Sequence, residues 1–171
     1  MFHCPFCDGW EMRDQPLAAY GRGAAGAGLA IMLKAWTNDV ILFTDGRSRL
    51  RAAEAERLRR NQVPVIDRRI ERLEGNGGVL ERIVLRDGES IARRGMFFSS
   101  GQEQRCDLAS RFGCVFTRKG AVRTGRWEAA GVPGLYVAGD ASQDVQMVAI
   151  AVAEGTRAAI AIHKALEDGI R

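Results

Sequence analysis

Two cysteines sit three positions apart in Cys4-Pro5-Phe6-Cys7, close to the start of the chain. That spacing lets two thiols close a strained, easily reduced disulfide, and a helix start there lowers the pKa of one of them. Only the thiolate attacks another disulfide, so such a pair exchanges electrons two at a time. Asp8 follows at once, a carboxylate placed to carry the proton released or taken up during exchange. The alternative chemistry for such a pair is half of a zinc site. It needs two more ligands at metal spacing, and the remaining cysteines, Cys106 and Cys114, form no second close pair. Neither His3 nor His163 stands at a ligand spacing. Redox chemistry is therefore the expectation, with Cys106 and Cys114 as small apolar packing residues.

Gly21-Arg22-Gly23-Ala24-Ala25-Gly26 follows the apolar run Pro16 to Tyr20 and precedes a small, proline-free stretch from Ala27 to Trp36. Alone, Gly-x-Gly-x-x-Gly is also an ordinary turn. Between a strand and a helix it has a mechanism: Gly21 permits the tight turn and Gly23 lets backbone N–H groups approach a pyrophosphate. Gly26 then lets helix and strand pack closely. Asp45 ends the next apolar run about 20 residues on, where an acid binds the ribose 2′-hydroxyl of NAD. Arg47, Arg49 and Arg51 follow and could reach a 2′-phosphate instead, so NADH and NADPH both stay open.

A third signal is Leu135-Tyr136-Val137-Ala138-Gly139-Asp140. Read as a strand closing on Gly-Asp, it places Asp140 to hold a polyhydroxyl chain. The start of the next helix, near Val145-Gln146, offers N–H groups and a positive dipole to a ring system. On its own this is a common turn; the first two motifs give it weight.

The elements that must position these residues alternate. Strands are expected at 16–20, 40–44 and 63–66, with helices at 27–36 and 52–61, which is the mononucleotide-binding half of a doubly wound sheet. Residues 69–92 then change to short alternating runs split by Gly75-Asn76-Gly77-Gly78 and Asp87-Gly88, an antiparallel excursion. Met96 to Phe98 reads as a strand returning to a sheet. A boundary near Gly101 divides residues 1–101 from 102–171, and a small-residue helix over 145–166 ends the chain.

Composition agrees with a globular α/β protein: 46% of residues are hydrophobic and 27% charged. No apolar run reaches the roughly 18 to 20 residues of a membrane helix. The first residues lack the basic patch and apolar stretch of a secretory signal, so a cytoplasmic location is expected. A net charge of +4 raises nucleic acid as a partner. Against it, the nine arginines from Arg47 to Arg72 are interleaved with Glu54, Glu56, Asp67 and Glu71, with no aromatic residue for stacking.

Taken together, the three motifs resemble the thioredoxin reductase-like family of pyridine nucleotide-disulfide oxidoreductases, over essentially the whole chain. The resemblance implies a three-layer α/β Rossmann-like nucleotide-binding domain carrying the Cys pair, followed by the carboxy-terminal part of a second, FAD-binding Rossmann-like domain. It implies that FAD and NAD(P)H are the cofactors. Cys7 would face the flavin, Cys4 would attack the substrate disulfide, and Asp8 would act as the acid. Gly21, Gly23, Gly26 and Asp45 would hold the dinucleotide. Gly139 and Asp140 would hold the ribityl chain, with Gln146 beside the ring. A homodimer acting on a thioredoxin-like protein or a small-molecule disulfide is the expected assembly.

Two departures qualify this. Where the family carries His-Arg-Arg to grip the NADPH 2′-phosphate, this chain has Thr44-Asp45-Gly46. That suits a divergent subgroup, and an oxidase that closes disulfides in small dithiols is the alternative activity. The family's own FAD-binding segment ahead of the cysteines has no counterpart in these residues. A truncated form, or a chain needing a partner polypeptide to hold FAD, is therefore expected, as is open apolar surface around 135–138. A catalytically silent nucleotide-binding fragment is the third reading.

Overall fold

In the computed structural model, which describes residues 1–98, 102–143 and 145–169, the chain separates into two compact units, Met1–Ser99 and Ser100–Arg171. The boundary expected at Gly101 lies outside the described residues.

The first unit is built on β1 (Leu17–Tyr20), whose Leu-Ala-Ala-Tyr sequence is almost wholly buried. Apolar residues on both faces of so short a run leave only the centre of a parallel sheet as its place. It pairs in parallel with β2 (Val40–Phe43) on one side and with β7 (Gly95–Phe98) on the other. β3 (Val65–Ile66) extends the sheet beyond β2, giving the order β3-β2-β1-β7. Between β1 and β2 runs α2 (Gly23–Leu33), and between β2 and β3 runs α3 (Ala52–Arg60). α2 starts four residues earlier than the apolar pattern implied and stops three earlier, so the glycine loop itself forms its first turn.

Alternation along β1 sorts the two cores. Leu17 and Ala19 face α2 and α3, joining Ala27, Ala30, Leu33 and Leu58. Ala18 faces the other way, with Phe43 and Met96, onto Leu80, Ile83 and Leu85 of the antiparallel sheet. That second sheet consists of β4 (Ile70–Asn76), β5 (Val79–Leu85) and β6 (Ser90–Ala92), in that order. Helices, parallel sheet and antiparallel sheet thus form three layers. The tetrad Gly75 to Gly78 does not separate the strands as a block. Gly75 and Asn76 belong to β4, and only Gly77 and Gly78 turn the chain, both with positive φ (57° and 80°). Two residues in that conformation make the type of turn whose twist matches the flanking strands.

The second unit contains α4 (Leu108–Arg111), α5 (Val148–Gly169) and a small core of Cys114, Val122 and Ala130. Here two expectations are corrected. Leu135 to Ala138 is not a strand: among the described residues it makes one isolated bridge, Ala129 with Tyr136, and its backbone bonds only to Glu128, Ala130 and Val132. A strand needs a ladder, and among the described residues nothing else runs beside it. α5 begins at Val148 and not at Val145, because the Met147 N–H donates to the Val145 carbonyl in a tight non-helical turn. Val148, Val152 and Leu166 of α5 are exposed, at 84%, 64% and 64%. Among the described residues no helix is long and apolar enough to cross a membrane.

Candidate functional site

Cys4 and Cys7 are joined as a disulfide across α1 (Pro5–Asp8), with Cα atoms 5.3 Å apart. Pro5 fits the first helical position, where its missing N–H costs nothing. The turn is held at three places. Ahead of it, Phe2 adds to the edge of β7: its N–H donates to the Met96 carbonyl at 2.9 Å and its carbonyl accepts from Phe98 at 3.0 Å. Behind it, Gly9 lies against α2's carboxy-terminal side, where a Cβ would stand 2.4 Å from the Trp36 indole nitrogen. Within it, the Asp8 N–H donates to the Cys4 carbonyl at 3.2 Å. Cys4 and Asp8 are half-buried, Cys7 is exposed, and Phe6 and Trp10 are 65% and 61% exposed. Arg13 lies over the Trp10 ring at 4.1 Å. The arrangement presents a disulfide at the surface of a rigid mount.

The glycine loop shows the close packing its sequence calls for. A Cβ on Gly26 would come within 2.5 Å of the Gly21 carbonyl carbon, and Gly23 has φ +55°. The N–H groups of Ala24 and Ala25 open the first turn of α2 and make no hydrogen bond among the described residues. Together with the helix dipole they suit a pyrophosphate. The Gly23 N–H is used differently from expectation, donating to the Ser48 carbonyl at 2.8 Å. Asp45 is also partly spent on the protein. Its Oδ1 accepts from the Ile70 N–H at 2.9 Å, and its Oδ2 lies 3.4 Å from the Tyr20 hydroxyl and 3.7 Å from Arg22. A ribose hydroxyl would share this carboxylate with three protein groups. Arg22, missed by the sequence reading, ties the loop to the end of β2 by donating to the carbonyls of Thr44 (2.7 Å) and Asp45. Its signal was available: it is the loop's only charged residue.

In the second unit Gly139–Ala141 form a single turn with Gly139 at φ +75°. Asp140 is exposed and its carboxylate has no partner among the described residues, while its carbonyl accepts from the side-chain amides of Gln102 (2.8 Å) and Gln146 (3.3 Å). These residues line a cavity of about 460 Å3 that also includes Gln104 and Cys106. A carboxylate and carboxamides around an open cavity are donors and acceptors for a polyhydroxyl chain, so the set fits a ribityl group. Behind the turn, the 2% exposed Glu154 accepts from the Gly139 N–H at 2.6 Å and from the Ser142 hydroxyl at 3.0 and 3.1 Å. The sequence reading passed over Glu154. Its signal was being the first acid in the otherwise small and apolar start of α5. Cys114 is buried as expected, but Cys106 is an exposed free thiol and not a packing residue, because the segment around it faces the cavity.

Residues 3–155 match the sequence profile of the pyridine nucleotide-disulphide oxidoreductases. The chain belongs to this family. A probable thioredoxin reductase from Arthroderma benhamiae is 28% identical across 98% of this chain and 48% of its own length. Among solved structures, HlmI is 31% identical with a TM-score of 0.85, covering 97% of this chain and 52% of that one. The atypical thioredoxin reductase TRi from Desulfovibrio vulgaris Hildenborough is 27% identical with a TM-score of 0.58, covering 97% and 56%. The chain therefore spans about half the length of the relatives it matches. As a thioredoxin reductase-like pyridine nucleotide-disulfide oxidoreductase, it has the mixed α/β fold with a parallel sheet that the family's nucleotide-binding domains share.

Proposed function

We propose that this chain carries the exchange disulfide and the dinucleotide loop of a flavin-dependent disulfide oxidoreductase, with part of the flavin site in its second unit. The observation that carries the reading is the surface-mounted Cys4–Cys7 disulfide, fixed to the same sheet whose first turn is the Gly21–Gly26 loop. The open N–H groups of Ala24 and Ala25 receive the NAD(P)H pyrophosphate, and Asp140 with Gln146 receives the ribityl part of FAD. When bound, FAD would supply the relay chemistry, taking a hydride from NAD(P)H and giving an electron pair to the disulfide. Cys7, the more exposed residue of the pair, is the one that exchanges electrons with the flavin. Cys4 attacks the substrate disulfide, and Asp8, in the same turn, moves the proton.

The substrate is a thioredoxin-like protein or a small-molecule disulfide. Two measurements test the reading. Titration of the purified chain with FAD decides whether it holds the flavin alone: tight stoichiometric binding would remove any need for a further polypeptide. In flavin-loaded protein, Cys7→Ser should leave flavin reduction by NAD(P)H in place while disulfide turnover disappears. Unchanged turnover would show that these are the wrong thiols.

A further inference from the structure

A dinucleotide seated on a strand–glycine loop–helix unit sets its adenosine ribose near the end of the second strand. An acid there takes a free 2′-hydroxyl, whereas a nearby arginine accommodates a 2′-phosphate. In this chain the end of β2 holds both. Asp45 follows the strand, and Arg22 reaches it from inside the glycine loop. Arg22 Nε donates to the Thr44 carbonyl at 2.7 Å, and Nη2 donates to the Asp45 carbonyl and lies 3.7 Å from Asp45 Oδ2.

What each group has left to offer differs. Asp45 Oδ1 accepts from the Ile70 N–H at 2.9 Å, and Oδ2 faces the Tyr20 hydroxyl and Arg22, so its oxygens are engaged and its charge is balanced. The Arg22 side chain is 42% exposed, and among the described residues its Nη1 makes no hydrogen bond or ion pair. A guanidinium edge carrying two N–H donors is thus unspent. The chain beyond Asp45 adds to the same charge. The Gly23 N–H donates to the Ser48 carbonyl at 2.8 Å, and a Cβ on Gly23 would stand 3.3 Å from the Arg49 carbonyl oxygen, so residues 47–49 border the loop. Arg51 is spent on Glu54, but Arg47 and Arg49 are exposed and unpaired among the described residues. The unpaired acid beside them is Asp67, whose carbonyl accepts from the Gly46 N–H at 2.8 Å. Balanced at Asp45 and cationic around it, this rim suits an added anion better than a lone hydroxyl.

We propose that Arg22 selects a 2′-phosphorylated dinucleotide, NADPH over NADH, by offsetting Asp45 and offering its unspent Nη1 to the phosphate, with Arg47 and Arg49 adding charge. The inference rests on the reading of the glycine loop as a dinucleotide site and names the cofactor which that site takes. The family's His-Arg-Arg is missing after β2, and the cation is supplied from within the loop instead.

The test needs no flavin. NADPH and NADH differ only in the 2′-phosphate, so the ratio of their dissociation constants, read from the fluorescence of the bound dihydronicotinamide, isolates its recognition. The unsubstituted chain should bind NADPH more tightly, with a preference that shrinks as salt rises. Arg22→Gln should lower that preference about three- to tenfold, the range of one partly exposed charge-assisted contact. A looser loop alone would weaken both nucleotides alike and leave the ratio unmoved. Arg47→Gln/Arg49→Gln should lower the preference about two- to fivefold, and it alters side chains that hold nothing among the described residues. Equal or tighter binding of NADH overturns the proposal. So does a preference unmoved by Arg22→Gln or, should that variant not fold, by Arg47→Gln/Arg49→Gln; the dinucleotide reading then stands. Binding of neither nucleotide overturns that reading, and the proposal with it.

Discussion

Adding one methyl group to each of two glycines in the same helix should have opposite effects. A Cβ on Gly26 would stand 2.5 Å from the Gly21 carbonyl carbon and 2.6 Å from its oxygen. Both atoms are backbone, so no side chain can rotate away and the loop or the helix must shift. Overpacking of that kind costs about 1–3 kcal/mol. For a unit of this size each kcal/mol moves the melting temperature by roughly 4–8 °C, so Gly26→Ala should melt about 4–24 °C lower. Two positions on, a Cβ at Gly28 meets nothing within 4 Å. There alanine restricts the unfolded chain and favours the helix, and Gly28→Ala should gain about 0.5–1 kcal/mol. Thermal unfolding followed by circular dichroism compares the two directly. Fluorescence titration with NADH and with NADPH adds a second readout, in which Gly26→Ala weakens binding and Gly28→Ala does not. Equal melting temperatures in the two variants would refute the claim that loop and helix are sealed at Gly26.

Other expectations follow from the same geometry. Glu154→Ala leaves the Gly139 N–H and the buried Ser142 hydroxyl without an acceptor and should cost about 1–3 kcal/mol, read by chemical denaturation; Glu154→Gln, which keeps an acceptor, should cost less. The Asp87 carboxyl is held below the usual carboxylate range by the Glu89 N–H and then by Arg68, and Glu89 is held low by Arg68. Carboxyls lowered in the folded state add stability above their unfolded values and lose it as pH falls through the folded ones. Amide protection at the β5–β6 turn, taken relative to the intrinsic exchange rate at each pH, should therefore fall as pH drops below about 4, and Arg68→Ala should remove that step. Arg22→Ala breaks the bridge to the end of β2 and should speed amide exchange at the Gly21–Gly26 loop; unaltered protection would count against the bridge as a brace.

Much of the first unit was legible because its signals are local and agree with one another. Leu17 to Tyr20 can be apolar throughout only in the middle of a parallel sheet, and Gly21, Gly23 and Gly26 have the spacing that a strand-to-helix turn demands. The helix start at Gly23 was hidden because the loop and the first turn are the same residues. Leu135 to Ala138 misled for a different reason: β propensity records what a segment can do, while a strand exists only where another backbone offers a ladder. At the site, the cysteine turn was readable from spacing alone. The bonds that consume part of Asp45 were not, because Ile70 and Tyr20 approach it from 25 residues away on either side. The same holds for Glu154, whose partners lie 12 and 15 residues upstream.

The mounting of the cysteine turn has a mechanical consequence. Phe2 is stitched to β7 and Gly9 is pressed on Trp36 just past α2, so the sulfurs are fixed to the sheet at one end of their short arc and to the helix layer at the other. Wherever that sheet travels, the sulfurs travel as a fixed passenger, and neither can lag or lead. Under the proposed function, redirecting electron exchange thus requires carrying the whole platform of the glycine loop along, a coupling that a disulfide hung on a loose tether would not impose.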